Sequence, residues 1–137
     1  MAGIDIGQTF LDLKATNFQG TKGKYFISMS CADCDGDEFV CFVMNTERKM
    51  EKYKLYCNKS VQKFIIAPST FSFITKNTSI MLEIYAIYKF EEMYEDNIKL
   101  LDKASELLCR QIKNCIDWDF LPPKIAKMIK EVFLIIL

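Results

Sequence analysis

A change of period near residue 95 constrains this chain more than any other feature. Before it, short segments rich in β-branched and aromatic residues alternate with polar turns, as strands do. After it, apolar residues recur at three- and four-residue steps, as on one face of a helix. Strands in one block and helices in the next predict an α+β fold, not α/β, whose strands and helices would alternate.

Thr9-Phe10-Leu11-Asp12-Leu13 alternates after Gly7 and reads as a first strand. Asn17 to Gly23 is polar with two glycines and reads as a loop. Lys24 to Ser30 is a second strand, and Asp35-Gly36 signals a tight turn into Glu38 to Met44, a buried third strand; the two form a hairpin. Tyr53 to Tyr56, Lys63 to Ile66 and Phe71 to Ile74 are shorter strand candidates, with Pro68 separating the last two. Ser79 to Phe90 suits strand or helix by period alone, and Tyr85, Ile87 and Tyr88 favour strand.

A first helix is expected on the stripe Ile98, Leu101, Leu108, Ile112 and Cys115 or Ile116, with Glu95 or Asp96 at its start. Asp117 to Leu121 interrupts the stripe. Pro122 and Pro123 then open a second helix that buries Ile125, Met128, Ile129, Val132, Phe133 and Ile136. The expectation is a single domain over residues 1–137: a small, mostly antiparallel barrel over about 6–94, closed by a helical part over about 95–137.

The chain has no histidine, which removes the usual general base and the Ser-His and Cys-His nucleophile pairs. Its 18 basic and 18 acidic residues cancel, which argues against broad nonspecific nucleic-acid binding but leaves room for a local patch. No signal peptide and no apolar run of about 18 residues is found, so a cytoplasmic protein that makes no membrane contact, with reduced and mostly buried cysteines, is expected. Cys31-Ala32-Asp33-Cys34 has the spacing of half a zinc site or a redox pair. It lacks a matching second pair, and reads as ordinary strand-end cysteines; a thiol or metal sensor is the weaker alternative. Asp33 to Glu38 lacks the ligand spacing of a calcium loop and reads as a solvated turn. No cofactor and no metal are expected.

Arg48, Lys49, Lys52, Lys54, Lys59 and Lys63 crowd a short stretch that also holds Tyr53 and Tyr56. Cations interleaved with aromatic rings suit single-stranded nucleic acid, phosphates on the cations and bases on the rings; a solvated loop would have the same composition. Arg48, Lys49, Lys52, Lys54, Tyr53 and Tyr56 are the candidate RNA-binding residues.

The order of motifs resembles the MazF/PemK (CcdB-like) toxin family. The matching stretches are Ile6-Gly7-Gln8-Thr9-Phe10, Gln19-Gly20-Thr21-Lys22-Gly23-Lys24, Tyr25 to Ser30, Val43-Met44-Asn45-Thr46 and Thr78-Ser79-Ile80-Met81-Leu82-Glu83. The resemblance spans roughly residues 6 to 108 and implies an SH3-like barrel with a C-terminal helix. It implies a metal-independent endoribonuclease toxin that inhibits growth by cleaving single-stranded RNA through 2′-hydroxyl attack. By position, the family's catalytic roles fall on Lys24 and Thr46, with Asn45 and Arg48 able to assist. A homodimer restrained by an antitoxin is implied as well.

Two departures weaken the activity that the resemblance implies. The family's arginine-proline pair is replaced by Lys24-Tyr25, which keeps the charge and loses the bidentate fork. The helix from Pro122 has no counterpart in the family. The alternative reading is a noncatalytic module that binds a peptide or protein partner through its apolar C-terminal helices.

Overall fold

The computed structural model describes residues 3–16 and 22–136. Seven strands form one antiparallel sheet: β1 Gln8–Thr16, β2 Lys22–Ser28, β3 Glu38–Thr46, β4 Tyr56–Asn58, β5 Lys63–Ile66, β6 Thr78–Lys89 and β7 Ile98–Lys103. Helices α1 Glu106–Cys115 and α2 Pro123–Ile136 follow. The ladder runs β4-β5-β6-β3-β2-β1-β7, which confirms an α+β fold with an antiparallel sheet and two C-terminal helices.

The apolar run of β3 is explained by burial on both faces. Val40, Phe42 and Met44 join one core with Ile27, Phe64, Ile80 and Leu82, under Ile112 of α1 and Ile125, Ile129 and Phe133 of α2. Phe39, Cys41 and Val43 alternate to the other side and join Phe10, Phe26, Phe90, Met93 and Ile98. A central strand covered twice has no polar alternation to show.

The sheet is rolled toward this second face. β6 and β1 lie three steps apart in the ladder, roughly 14 Å on a flat sheet. Yet the Tyr88 ring of β6 lies 5.1 Å from that of Phe10 in β1, and its hydroxyl donates to Asp12 Oδ2 at 2.6 Å. Part of the bend arises in β6, where Tyr85 opposes Phe42 and Ile80 opposes Met44, so three extra residues bulge from the strand. Among the described residues no ladder joins β4 to β7, so the rolled sheet keeps two edges and the expected closed barrel is not seen.

Three local expectations are corrected. Ile98 to Lys103 is a strand paired with β1, and α1 begins only at Glu106, where Ser105 caps it by accepting from the Leu108 amide. Phe71 to Ile74 is a turn, closed by the Ile74 amide on the Phe71 carbonyl, that stacks Phe73 on Phe71 and on Tyr25. The strand expected at Tyr53 to Tyr56 begins at Tyr56. The expectation of reduced cysteines fails for one pair, because Cys57 and Cys115 form a disulfide with their Cα atoms 5.5 Å apart. Most of the loop expected over Asn17 to Gly23 lies outside the described residues. No described helix is long and apolar enough to cross a membrane.

Candidate nucleic-acid interface

Where β3 leaves the core, the second face turns polar. Asp12 pairs with Lys24 across β1 and β2, and Asn45 pairs with Ser79 across β3 and β6. The β2–β3 register sets Tyr25 opposite Met44; one step further it sets Lys24 opposite Asn45. Directly opposed residues share a face. Asp12, Lys24, Asn45 and Ser79 therefore form one polar row over four strands, on the side toward which the sheet is rolled.

Thr46 is placed otherwise. It opposes Thr78 and lies two residues beyond Met44, so the pleat aims it at the helix-covered face, away from Lys24. The register brings Lys24 and Thr46 to one end of the sheet but onto opposite faces.

Glu47 lies just beyond the row. Its Oε2 accepts from Lys63 Nζ at 2.9 Å and from Ser79 Oγ at 2.7 Å, and its Oε1 accepts from the Lys49 amide at 3.2 Å. Its side chain is 7% exposed and that of Lys63 21%. Burial pushes the Glu47 carboxyl up, but Lys63 and Ser79 outweigh it and the pKa is lowered. Burial pushes the Lys63 ammonium down, and Glu47 more than reverses this. Both groups are charged at neutral pH. With both oxygens engaged and a lowered pKa, Glu47 is suited to hold the site together and poorly suited to take a proton.

Asp12 closes the far end of the row. Its carboxylate accepts from Tyr88 Oη at 2.6 Å, Asn97 Nδ2 at 2.8 Å and the Lys14 amide at 2.9 Å. Burial acts to raise its pKa, but these donors together bring it below the usual value. Burial and Asp12 together push the Tyr88 hydroxyl pKa up, so it remains a donor. Asn97 Oδ1 is left buried without a partner.

The cationic residues sit on an excursion between β3 and β5. Arg48, Lys49, Lys52 and Lys54 are exposed, and Met50–Lys52 form a single 3-10 turn. Of the two candidate stacking rings, Tyr53 is half-buried and lies 4.6 Å below the Lys63 ammonium. Tyr56 is 54% exposed with φ of 72°, a left-handed conformation uncommon for a tyrosine. Tyr56 is thus the ring better placed to stack on a base.

The acidic stretch after Cys31 is a hydrogen-bonded turn. Asp37 Oδ2 accepts from the Asp33 and Cys34 amides at 3.0 and 3.3 Å. Asp37 beside Cys34 pushes its thiol pKa up, which disfavours a reactive thiolate.

Sequence reading missed Asp12, Glu47 and Ser79 as members of the site. Asp12 carried a weak signal as a charge inside an alternating apolar segment; Glu47 looked like one acid within a basic stretch. Comparison with protein-family models, curated proteins and solved structures finds no match to this chain.

Proposed function

We propose that this protein is a MazF/PemK-type RNA-binding protein, built on an SH3-like sheet, that takes single-stranded RNA on the face bearing Lys24, Asn45 and Ser79. The observation that carries this reading is the polar row beside the cationic excursion, with Lys24 as its cation. Phosphates meet Lys24 and the exposed Arg48, Lys49, Lys52 and Lys54, and a base stacks on Tyr56.

The proposed reaction is attack of a ribose 2′-hydroxyl on the adjacent phosphate, leaving a cyclic phosphate and a free 5′-hydroxyl. Lys24 stabilises the charge that builds on the phosphoryl oxygens, and the exposed Asn45 supplies a neutral hydrogen bond to them. The buried Ser79 donates its hydroxyl to Glu47 and holds it in place. Thr46, which the resemblance casts as the hydroxyl donor, lies on the other face by register, and no histidine is available as a base. Both features favour slow cleavage. A cytoplasmic homodimeric toxin held by an antitoxin remains part of this reading.

Incubation of the protein with an end-labelled single-stranded RNA tests it. Fragments ending in cyclic phosphate are expected from the wild type, are lost in Lys24→Ala, and are reduced more by Asn45→Ala than by Thr46→Ala. RNA left intact and unbound by the wild type would remove the reading.

A noncatalytic interaction module is the second reading. It is favoured by large apolar side chains left exposed in the helical region: Leu107 at 66%, Phe120 at 53% and Leu134 at 83%. A defined partner that co-purifies, and is lost with Leu107→Ser and Leu134→Ser, supports it.

A further inference from the structure

The cationic excursion is tied to the body in a way its own backbone does not require. β4 has three residues, lies at the sheet edge and pairs only with β5, as Tyr56 with Ile65, Cys57 with Phe64 and Asn58 with Lys63. So short an edge strand holds little stability alone. Its first residue, Tyr56, has a positive φ of 72°, and so has Gln62 at 52°, in the link that leads to β5. Its internal bonds run mostly within the loop, where Asn58 Nδ2 donates to the Lys54 and Tyr56 carbonyls at 2.8 and 3.1 Å. Two long-range ties reach the C-terminal end of α1. One is the Cys57–Cys115 disulfide. The other is the buried Gln62 amide, which donates to the Cys115 carbonyl at 3.0 Å and accepts from the Asp117 amide at 2.8 Å.

We propose that Cys57–Cys115 is a reversible thiol–disulfide site that controls the placement of the cationic excursion, and through it the binding of single-stranded RNA. The RNA part rests on the function proposed above; the control of the excursion does not. The chemistry is exchange with small thiols and disulfides. Cys57 is half-buried and Cys115 is 1% exposed, so an incoming thiolate attacks the Cys57 sulfur. The S–S bond breaks, Cys115 leaves as thiolate and takes a proton, and a mixed disulfide forms on Cys57. A second reductant thiolate then attacks the reductant's own sulfur and releases Cys57 as a thiol. The protein gains two electrons and two protons, and two reductant thiols become one disulfide. A small-molecule disulfide such as oxidised glutathione runs the sequence backwards and accepts the two electrons.

When the bond is closed, β4 is pinned to α1 and the cations emerge from a fixed stem. When it is open, the excursion stays held at its start by Glu47 and by Tyr53 under Lys63, and β4 keeps only Gln62 and its three-residue ladder against release. A pre-organised cationic segment loses less conformational freedom on binding a strand, so the disulfide form is the tighter binder.

The test compares the full-length protein equilibrated in oxidised or in reduced glutathione, with peptide mapping of Cys57 and Cys115 in each. Hydrogen exchange is expected to rise at least tenfold over residues 54–58 on reduction, with β3 and the adjoining half of β6 unchanged. Affinity for a 20-nucleotide single-stranded RNA is expected to fall at least threefold. In a Cys115→Ser protein, oxidised glutathione should cap Cys57; in Cys57→Ser, Cys115 should be capped at least tenfold more slowly. A pair that stays as free thiols in oxidised glutathione overturns the proposal. So does equal exchange over 54–58 in both redox states. An exchange difference without RNA binding in either state upholds control of the excursion and overturns the RNA function instead.

Discussion

The two edges of the sheet are secured by different means. β7 has six residues, runs along β1, and gains side-chain ties on the way. Gln8 Nε2 donates to the Leu101 carbonyl at 2.8 Å, and Thr9 Oγ1 donates to the Asp102 carbonyl. The Asp102 carboxylate in turn accepts from the Ser72 amide and hydroxyl at 2.6 and 2.8 Å. β4 has half the length, and its anchorage comes from a disulfide and one glutamine to a helix distant in sequence. A long edge strand is held by its ladder; a short one takes its stability from cross-links. The first is insensitive to redox state, and the second depends on it.

The largest expected effect comes from cutting the β4 cross-link. Cys57 and Cys115 are 58 residues apart, and closing a loop of that size removes about 4 kcal/mol of unfolded-state entropy. Urea unfolding of Cys57→Ser should show a loss of that order, and a loss below about 1 kcal/mol would erase the contrast between the edges. On the β7 side, Asp12→Ala leaves the Tyr88 hydroxyl and the Asn97 amide without their acceptor, at about 2–3 kcal/mol. Gln62→Ala strips partners from the Cys115 carbonyl and the Asp117 amide and should cost about 2 kcal/mol. That loss should persist in reduced protein, because the glutamine acts independently of the sulfurs.

Acid sharpens the comparison further. Glu47 has a lowered pKa, so the stability it contributes is whole above its ordinary value near 4.5 and is lost as pH falls through the lower folded value. Asp12 is lowered likewise from 3.8, so its share begins to be lost only below that ordinary value. Stability measured from about pH 6 downward should therefore lose the Glu47 share before the Asp12 share. Glu47→Gln should shrink the decline that starts below 4.5 while leaving the part due to Glu91, which is lowered by the Gly36 amide. The smallest effect is expected from Lys103→Ala. It breaks an exposed ion pair with Asp5, and the stability drawn from its urea unfolding should change by no more than about 0.5 kcal/mol.

Much of the fold could be read from local pattern. The β2–β3 hairpin, β5, β6 and the proline-started α2 lie where alternation, turn residues and helix-start signals put them. β7 did not, because Ile98 and Leu101 suit helical spacing as well as they suit a strand, and pairing with β1 decided the matter. Phe71 to Ile74 alternates like a strand, but its aromatic rings pack better as a turn over Tyr25. The site was legible only in its residue types: Lys24, Asn45 and the cations were visible, whereas their grouping with Asp12, Glu47 and Ser79 needed four strands in register.

The sequence by itself determined an α+β chain, a third strand apolar enough to be buried on both faces, a cationic stretch after it, and chemistry without histidine. Those properties are local, set by side-chain type and spacing. Only the tertiary structure decided that Lys24 shares a face with Asn45 while Thr46 does not, since one step along a pleated strand reverses a side chain. It alone decided that Cys57 meets Cys115. Both outcomes depend on which distant segments come together, and that follows from how the whole core closes.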